Sequence, residues 1–221
     1  MIKIAAMRNL LRDYRIVISL LFIIVYFALT VGLPSIVGDA WAENSIQFGI
    51  VLSAVIGIFV FNGPIIQGFH NLKGKYRKLA LVIVGFLFFQ TIAITISTQF
   101  IDGVGGGSAN QASVEGSLKG AGGVIATLVL ALFAPIVEEL VFREALIGWA
   151  KSKVIVAVMA VISGVTFLYF HAPFDPAGIA FYLPGTISLI AIYLIFRKNI
   201  AASMVAHIVF NTVAAISTFA A

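Results

Sequence analysis

Residues 122–149, GGVIATLVLALFAPIVEELVFREALIGW, are long and apolar enough to cross a bilayer, yet Glu138, Glu139, Arg143 and Glu144 stand in their middle. An acid or an arginine at the centre of a membrane helix costs about 2.5–3.5 kcal/mol on insertion scales. A span that keeps four such groups must meet partners on other helices or use the groups as a site. Elsewhere in the apolar runs, the polar outliers are His171, His207 and Asn211. The expected fold is therefore all-α: a polytopic membrane bundle of about seven helices closing round a polar centre.

Composition agrees. The 221 residues are 61% hydrophobic and 10% charged, against about 25% charged in a soluble domain. One membrane domain, 1–221, is expected, with no soluble appendage. A net charge of +5 points to the anionic cytoplasmic leaflet and away from nucleic acid. The absence of cysteine excludes disulfides, thiolate zinc sites and a cysteine nucleophile.

Hydropathy predicts helices near 16–33, 46–69, 79–100, 122–149, 154–171, 177–196 and 200–218. Residues 1–15 form a basic amphipathic lead. The first apolar run exceeds the roughly 7–15 residues of a signal-peptide core, so it is read as an anchor, ended by Pro34. Asn62-Gly63-Pro64 predicts a packing kink in the second helix. The Gly- and Ser-rich residues 101–120 are read as a flexible loop. No strand precedes their glycines and no Gly-Lys-Ser/Thr follows, so a phosphate cradle is not expected. With the N-terminus cytoplasmic and seven spans, every basic residue except Arg143 and Lys119 falls on the cytoplasmic side. Asp39, Glu43, Asp102, Glu115 and Asp175 fall outside, as does the C-terminus, in keeping with the positive-inside rule.

Helical spacing sorts the polar groups. Glu139 precedes Arg143 by four residues, the favourable order for an ion pair on one face. Glu138 lies about 100° round the helix, and its own four-residue neighbour is Phe142. Glu138 is thus the acid left for another helix, with Pro135 bending the backbone just before it. Phe167 and His171 share one face of the fifth helix; His207 and Asn211 share one face of the seventh. A carboxylate with an imidazole suits water activation, and two converging donors suit an oxyanion. Any one of these residues alone more often makes a plain interhelical hydrogen bond. His70 is assigned to the basic loop, and Glu144 to snorkelling or a neighbouring charge. Glu138, His171 and His207 also have the makeup of a three-ligand zinc site, although the His-Glu-x-x-His helix is absent.

Glu138-Glu139-x-x-x-Arg143, Phe167-x-x-x-His171 and His207-x-x-x-Asn211, in that order, resemble the three motifs of the CAAX protease and bacteriocin-processing family, also called Abi. The resemblance covers about residues 120–215, the expected catalytic core; residues 1–119 match only in being membrane spans. It implies a glutamate-dependent intramembrane endopeptidase without a cofactor, acting on membrane-associated proteins or peptides. Glu138 and His171 would activate the water, His207 and Asn211 would form the oxyanion hole, and Glu139 with Arg143 would orient the first motif beside Phe167. Glu144 departs from the glycine often found after the arginine. The expected setting is a bacterial plasma membrane. Two other readings are a non-catalytic scaffold or immunity protein of the same family, and a transporter with broken helices. One geometric demand remains. At 1.5 Å per residue, Glu138 lies about 17 Å, His171 about 25 Å, and His207 with Asn211 about 10–17 Å from the cytoplasmic ends of their helices. Tilt or offset must bring them level.

Overall fold

The structure, a computed structural model, describes residues 2–104, 116 and 123–220. Most of the predicted 101–120 loop, with Glu115, Lys119 and the boundary at 119/120, lies outside the described residues. Among the described residues, seven helices are long and apolar enough to cross a membrane: Tyr14–Val37, Trp41–Val60, Tyr76–Ser97, Gly123–Gly148, Lys153–His171, Pro176–Ile195 and Ile200–Ser217, spans 1 to 7. Among the described residues there is no strand.

Spans 4 and 7 are the most buried of the seven. Span 4 packs on spans 1, 2, 5 and 7 at once, so its polar residues meet protein on several sides. Two cores result. One joins Phe22, Phe61, Leu140, Phe142, Phe167 and Met204. The other joins Leu79 and Ile83 of span 3 to Leu189 and Ile192 of span 6 and Ala202 and Phe210 of span 7.

Two helix boundaries depart from expectation, and a further proline, Pro135, also follows a π-helical turn. Pro34 does not end the first helix. Residues Ala28–Gly32 form a π-helical turn, after which Leu33–Val37 continues with Pro34 in its first positions. The wider turn removes the clash that a proline ring makes with the carbonyl four residues back. The helix instead stops at Gly38, whose φ of 80° is open to glycine at little cost. The second predicted helix, 46–69, is two. Asp39–Val60 ends at Phe61 (φ −107°, ψ 24°), and Asn62–Leu72 starts afresh. Pro64 there falls in a first turn, where its missing N–H leaves no bond unmade. Finally, Val129–Phe133 of span 4 is π-helical and leads into Ala134–Glu139, which carries Pro135 in its first positions.

A further π-helical stretch, Leu140–Gly148, carries Arg143 and Glu144. The π-turns before Pro34 and Pro135 share a consequence. In each, the residue before the proline bonds five back: Leu33 to the Ala28 carbonyl and Ala134 to the Val129 carbonyl. In the same register Pro34 and Pro135 would bond Leu29 and Leu130, but proline has no N–H to give. Both carbonyls meet another helix. Leu29 is approached so closely by Gly49 that a Cβ there would strike its carbonyl oxygen. The Leu130 carbonyl accepts a hydrogen bond from the Asn211 side-chain amide at 2.9 Å.

The depth demand is met by register. Ser163 of span 5 donates to the Phe142 carbonyl of span 4 and pins the two antiparallel helices there. Glu138 lies about 6 Å beyond that point and His171 about 12 Å beyond it. Because Cα–Cβ bonds tilt toward a helix N-terminus, Glu138 leans forward and His171 leans back. The two side chains close the remaining gap of about 6 Å between them.

Candidate active site

Glu138 sits between two imidazoles. Its Oε1 is 3.8 Å from His171 Nε2, and its Oε2 is 3.6 Å from His207 Nε2. Its side chain is 13% exposed, against 0% for Glu139. Both separations are too long for direct hydrogen bonds, leaving room for a water seated to one side of the line between carboxylate and imidazole.

Backbone and carboxylate partners fix the ring orientations. His171 Nδ1 lies 2.8 Å from the Phe167 carbonyl. A carbonyl only accepts, so Nδ1 carries the proton and the Nε2 of neutral His171 is a bare acceptor facing Glu138. The imidazole also stacks on Phe167, centroids 4.1 Å apart and 19° from parallel. On its other flank stands the Tyr182 ring at 5.1 Å. His207 Nδ1 lies 3.0 Å from Glu139 Oε1 and donates to it in turn. For its Nε2 to donate as well, His207 must be the imidazolium. In that state Glu138, Glu139, Arg143 and His207 sum to zero charge, which suits groups so largely withdrawn from solvent.

The sequence pairing of Glu139 with Arg143 is present, Nε to Oε2 at 3.4 Å with both side chains fully buried. It is a charge contact rather than an aligned hydrogen bond: among the described residues, no Arg143 nitrogen has a hydrogen-bond partner. The guanidinium instead lies over Phe167, 4.7 Å from its centroid, a cation–π contact that keeps the charge compensated. Phe167 therefore carries His171 on its ring and Arg143 over it.

Asn211 stands one turn beyond His207, half-buried, and its amide is held by the Leu130 carbonyl. One of its two N–H groups is thus engaged, and it makes no bond to Glu138 or either histidine. Glu144 is buried and lies apart from this cluster, with Arg15 Nη2 at 2.8 Å and the Tyr193 hydroxyl at 3.1 Å. His70 is exposed in Asn62–Leu72, consistent with a role outside the site. Sequence reasoning does not reach Tyr182, Ser163 or the Leu130 carbonyl, since each acts through a contact between helices that no spacing encodes. Among the described residues, no set of three or more His, Cys, Asp or Glu side chains is drawn together as tightly as bound metal ligands are.

Residues 120–213 match the model of one protein family, described as Type II CAAX prenyl endopeptidase Rce1-like. The match takes in spans 4 to 6, span 7 as far as residue 213 and every residue of the cluster, and leaves out spans 1 to 3. No curated protein and no solved structure matches the chain.

Proposed function

Because residues 120–213 match the Rce1-like family model, we propose that the protein is an intramembrane endopeptidase that hydrolyses membrane-associated proteins or peptides with a glutamate-activated water. The observation that carries the reading is the Glu138 carboxylate held between two imidazole Nε2 atoms, 3.6 and 3.8 Å away, inside a membrane bundle. A packing role does not call for a carboxylate set just beyond hydrogen-bond reach of two bases.

The reaction follows from the donors and acceptors. A water between Glu138 and His171 gives one hydrogen bond to the bare His171 Nε2 and its proton to Glu138. The resulting hydroxide attacks the scissile carbonyl carbon, and the carbonyl oxygen becomes an oxyanion. His207, as imidazolium, donates to that oxygen from Nε2; the second amide hydrogen of Asn211 is the other donor. The proton on Glu138 then passes to the amide nitrogen as the C–N bond breaks. A positioned base is worth about 10²–10⁴ in rate and one oxyanion donor about 10²–10³. Glu139, itself held beside Arg143, keeps His207 oriented through Nδ1. The chemistry as written uses no metal.

With the basic span ends cytoplasmic, the N-terminus is inside and the C-terminus outside. The test is comparative proteomics of membrane fractions from cells carrying wild type or Glu138→Gln at equal expression. Substrates accumulate uncleaved with Glu138→Gln. Identical peptide profiles in the two strains would refute the reading.

A further inference from the structure

A second polar site lies where spans 1, 3 and 7 begin and spans 4 and 6 end. It is a cavity of about 850 Å³, within the range of roughly 300–1,000 Å³ typical of small-ligand sites. None of Glu138, His171, His207 or Asn211 lines it, and its lining residue Glu144 bonds Arg15 and Tyr193 rather than that cluster. We propose that this cavity binds the phosphate of an anionic phospholipid headgroup.

Charge is the first support. Arg15, Lys75, Lys78, Arg197 and Lys198 line the cavity against one carboxylate, Glu144. That carboxylate is already matched by Arg15 and by the Tyr193 hydroxyl. Among the described residues, Lys75, Lys78 and Arg197 have no carboxylate within 4 Å, the ion pairs lying elsewhere. Lys198 is tied through Nζ to the carbonyls of Gly148 and Ala150. Burial, with Arg15 and Lys151 nearby, draws its pKa below the usual lysine value against the pull of Glu144. Cations gathered with so little countercharge repel one another unless an anion joins them.

The wall is built rather than incidental. Arg197 and Lys198 both adopt positive φ, 60° and 59°, an unfavourable conformation for residues with a Cβ. The turn is held because Lys198 N and Asn199 N both bond the Tyr193 carbonyl. Asn199 then donates to the Gly68 carbonyl and accepts from Ala202 N. A Cβ at Gly68 would collide with the Asn199 side chain, so this helix contact needs glycine.

Apolar surface beside the cavity selects a lipid over a soluble anion. Exposed Ile195 is part of the lining, exposed Ile66 and Phe69 flank its residues Gln67 and Gly68 in the chain, and the site stands at span ends, the depth of headgroups. A phospholipid fills both surfaces, its phosphate among the cations and its chains along these residues; inorganic phosphate uses only the first. Basic pockets between membrane helices bind anionic headgroups for this reason.

The test takes purified protein in neutral detergent and measures lipid retention by native mass spectrometry during titration with phosphatidylglycerol, phosphatidylcholine or inorganic phosphate. Wild type retains phosphatidylglycerol in preference to phosphatidylcholine. Lys75→Gln/Arg197→Asn, with asparagine chosen because it tolerates positive φ, weakens this affinity roughly 20-fold. Lys73→Gln/Arg77→Gln removes the same charge outside the cavity and weakens it less than about threefold. Lys78→Gln alone, weakening it about fivefold, serves if the first double variant does not fold. Equal losses in the two double variants, equal retention of phosphatidylcholine, or inorganic phosphate that blocks phosphatidylglycerol completely at low millimolar concentration would overturn the proposal. Cleavage plays no part in this readout, so its failure leaves the proposed peptidase untouched.

Discussion

Removing the Arg143 side chain strands a carboxylate with no route to water. Arg143 and Glu139 are both fully buried, 3.4 Å apart, and the guanidinium also covers the Phe167 ring. Breaking a buried pair by deleting one partner costs about 3–5 kcal/mol. His207 Nδ1, 3.0 Å from Glu139, and the nearby Ser203 hydroxyl remain as compensating donors and keep the loss within that range. For a chain of this length about 2–4 °C of melting temperature accompanies each kcal/mol. Arg143→Met is therefore expected to melt roughly 6–20 °C below wild type in detergent, with lower yield. The companion variant Arg143→Met/Glu139→Gln removes both charges, and its midpoint should return most of the way, because a neutral replacement of a buried pair is often close to neutral in stability. Thermal unfolding followed by tryptophan fluorescence, at equal detergent and protein, reads both. A midpoint for Arg143→Met within 2 °C of wild type, by this order-of-magnitude scale, would refute the buried-pair reasoning, as would a double variant less stable than the single one.

The other predictions concern separate contacts. Asn211→Ala uncovers the Leu130 carbonyl and should cost about 1–3 kcal/mol of stability. It should also lower the cleavage rate about 10²–10³-fold; a rate near wild type would remove Asn211 from the oxyanion hole and leave it as the cap of the π-turn. Gly49→Val drives a side chain into the Leu29 carbonyl and should cut the yield of folded protein sharply, whereas Gly63→Ala, facing open space, should leave yield unchanged. Cleavage should persist after treatment with EDTA or 1,10-phenanthroline, and loss of activity restored by zinc would show that the water is activated by metal. Arg15→Gln should lower the melting temperature less than Arg143→Met, because half-exposed Arg15 leaves Glu144 the Tyr193 hydroxyl and a path to water.

The positions of spans 4 to 7 are legible in the sequence because their apolar runs are long and are broken by few polar residues. The Glu139–Arg143 pair is legible for a local reason: four residues along one helix decide it. The meeting of Glu138 with His171 and His207 is legible only as a demand, since three desolvated groups need partners. Register supplies the answer through Ser163 and the Phe142 carbonyl, a side-chain-to-backbone contact that no motif marks. Pro34 reads as a helix end and is not one. The π-turn that accommodates it depends on five-residue hydrogen bonding, which has no residue signature of its own. The same device hides the partner of Asn211, a carbonyl left over by Pro135. Glu144 is the long-range case. Its partner Arg15 is 129 residues away, so sequence reasoning foresees a charge for it without naming which.

The most direct measurement is the cleavage rate of Glu138→Gln in reconstituted bilayers, on a substrate identified from the membrane proteome, at matched amounts of folded protein. Glutamine keeps the shape of the side chain and cannot take the proton of water. The account predicts a fall of at least about 100-fold, with melting temperature preserved. A Glu138→Gln protein that cleaves at the wild-type rate would contradict it.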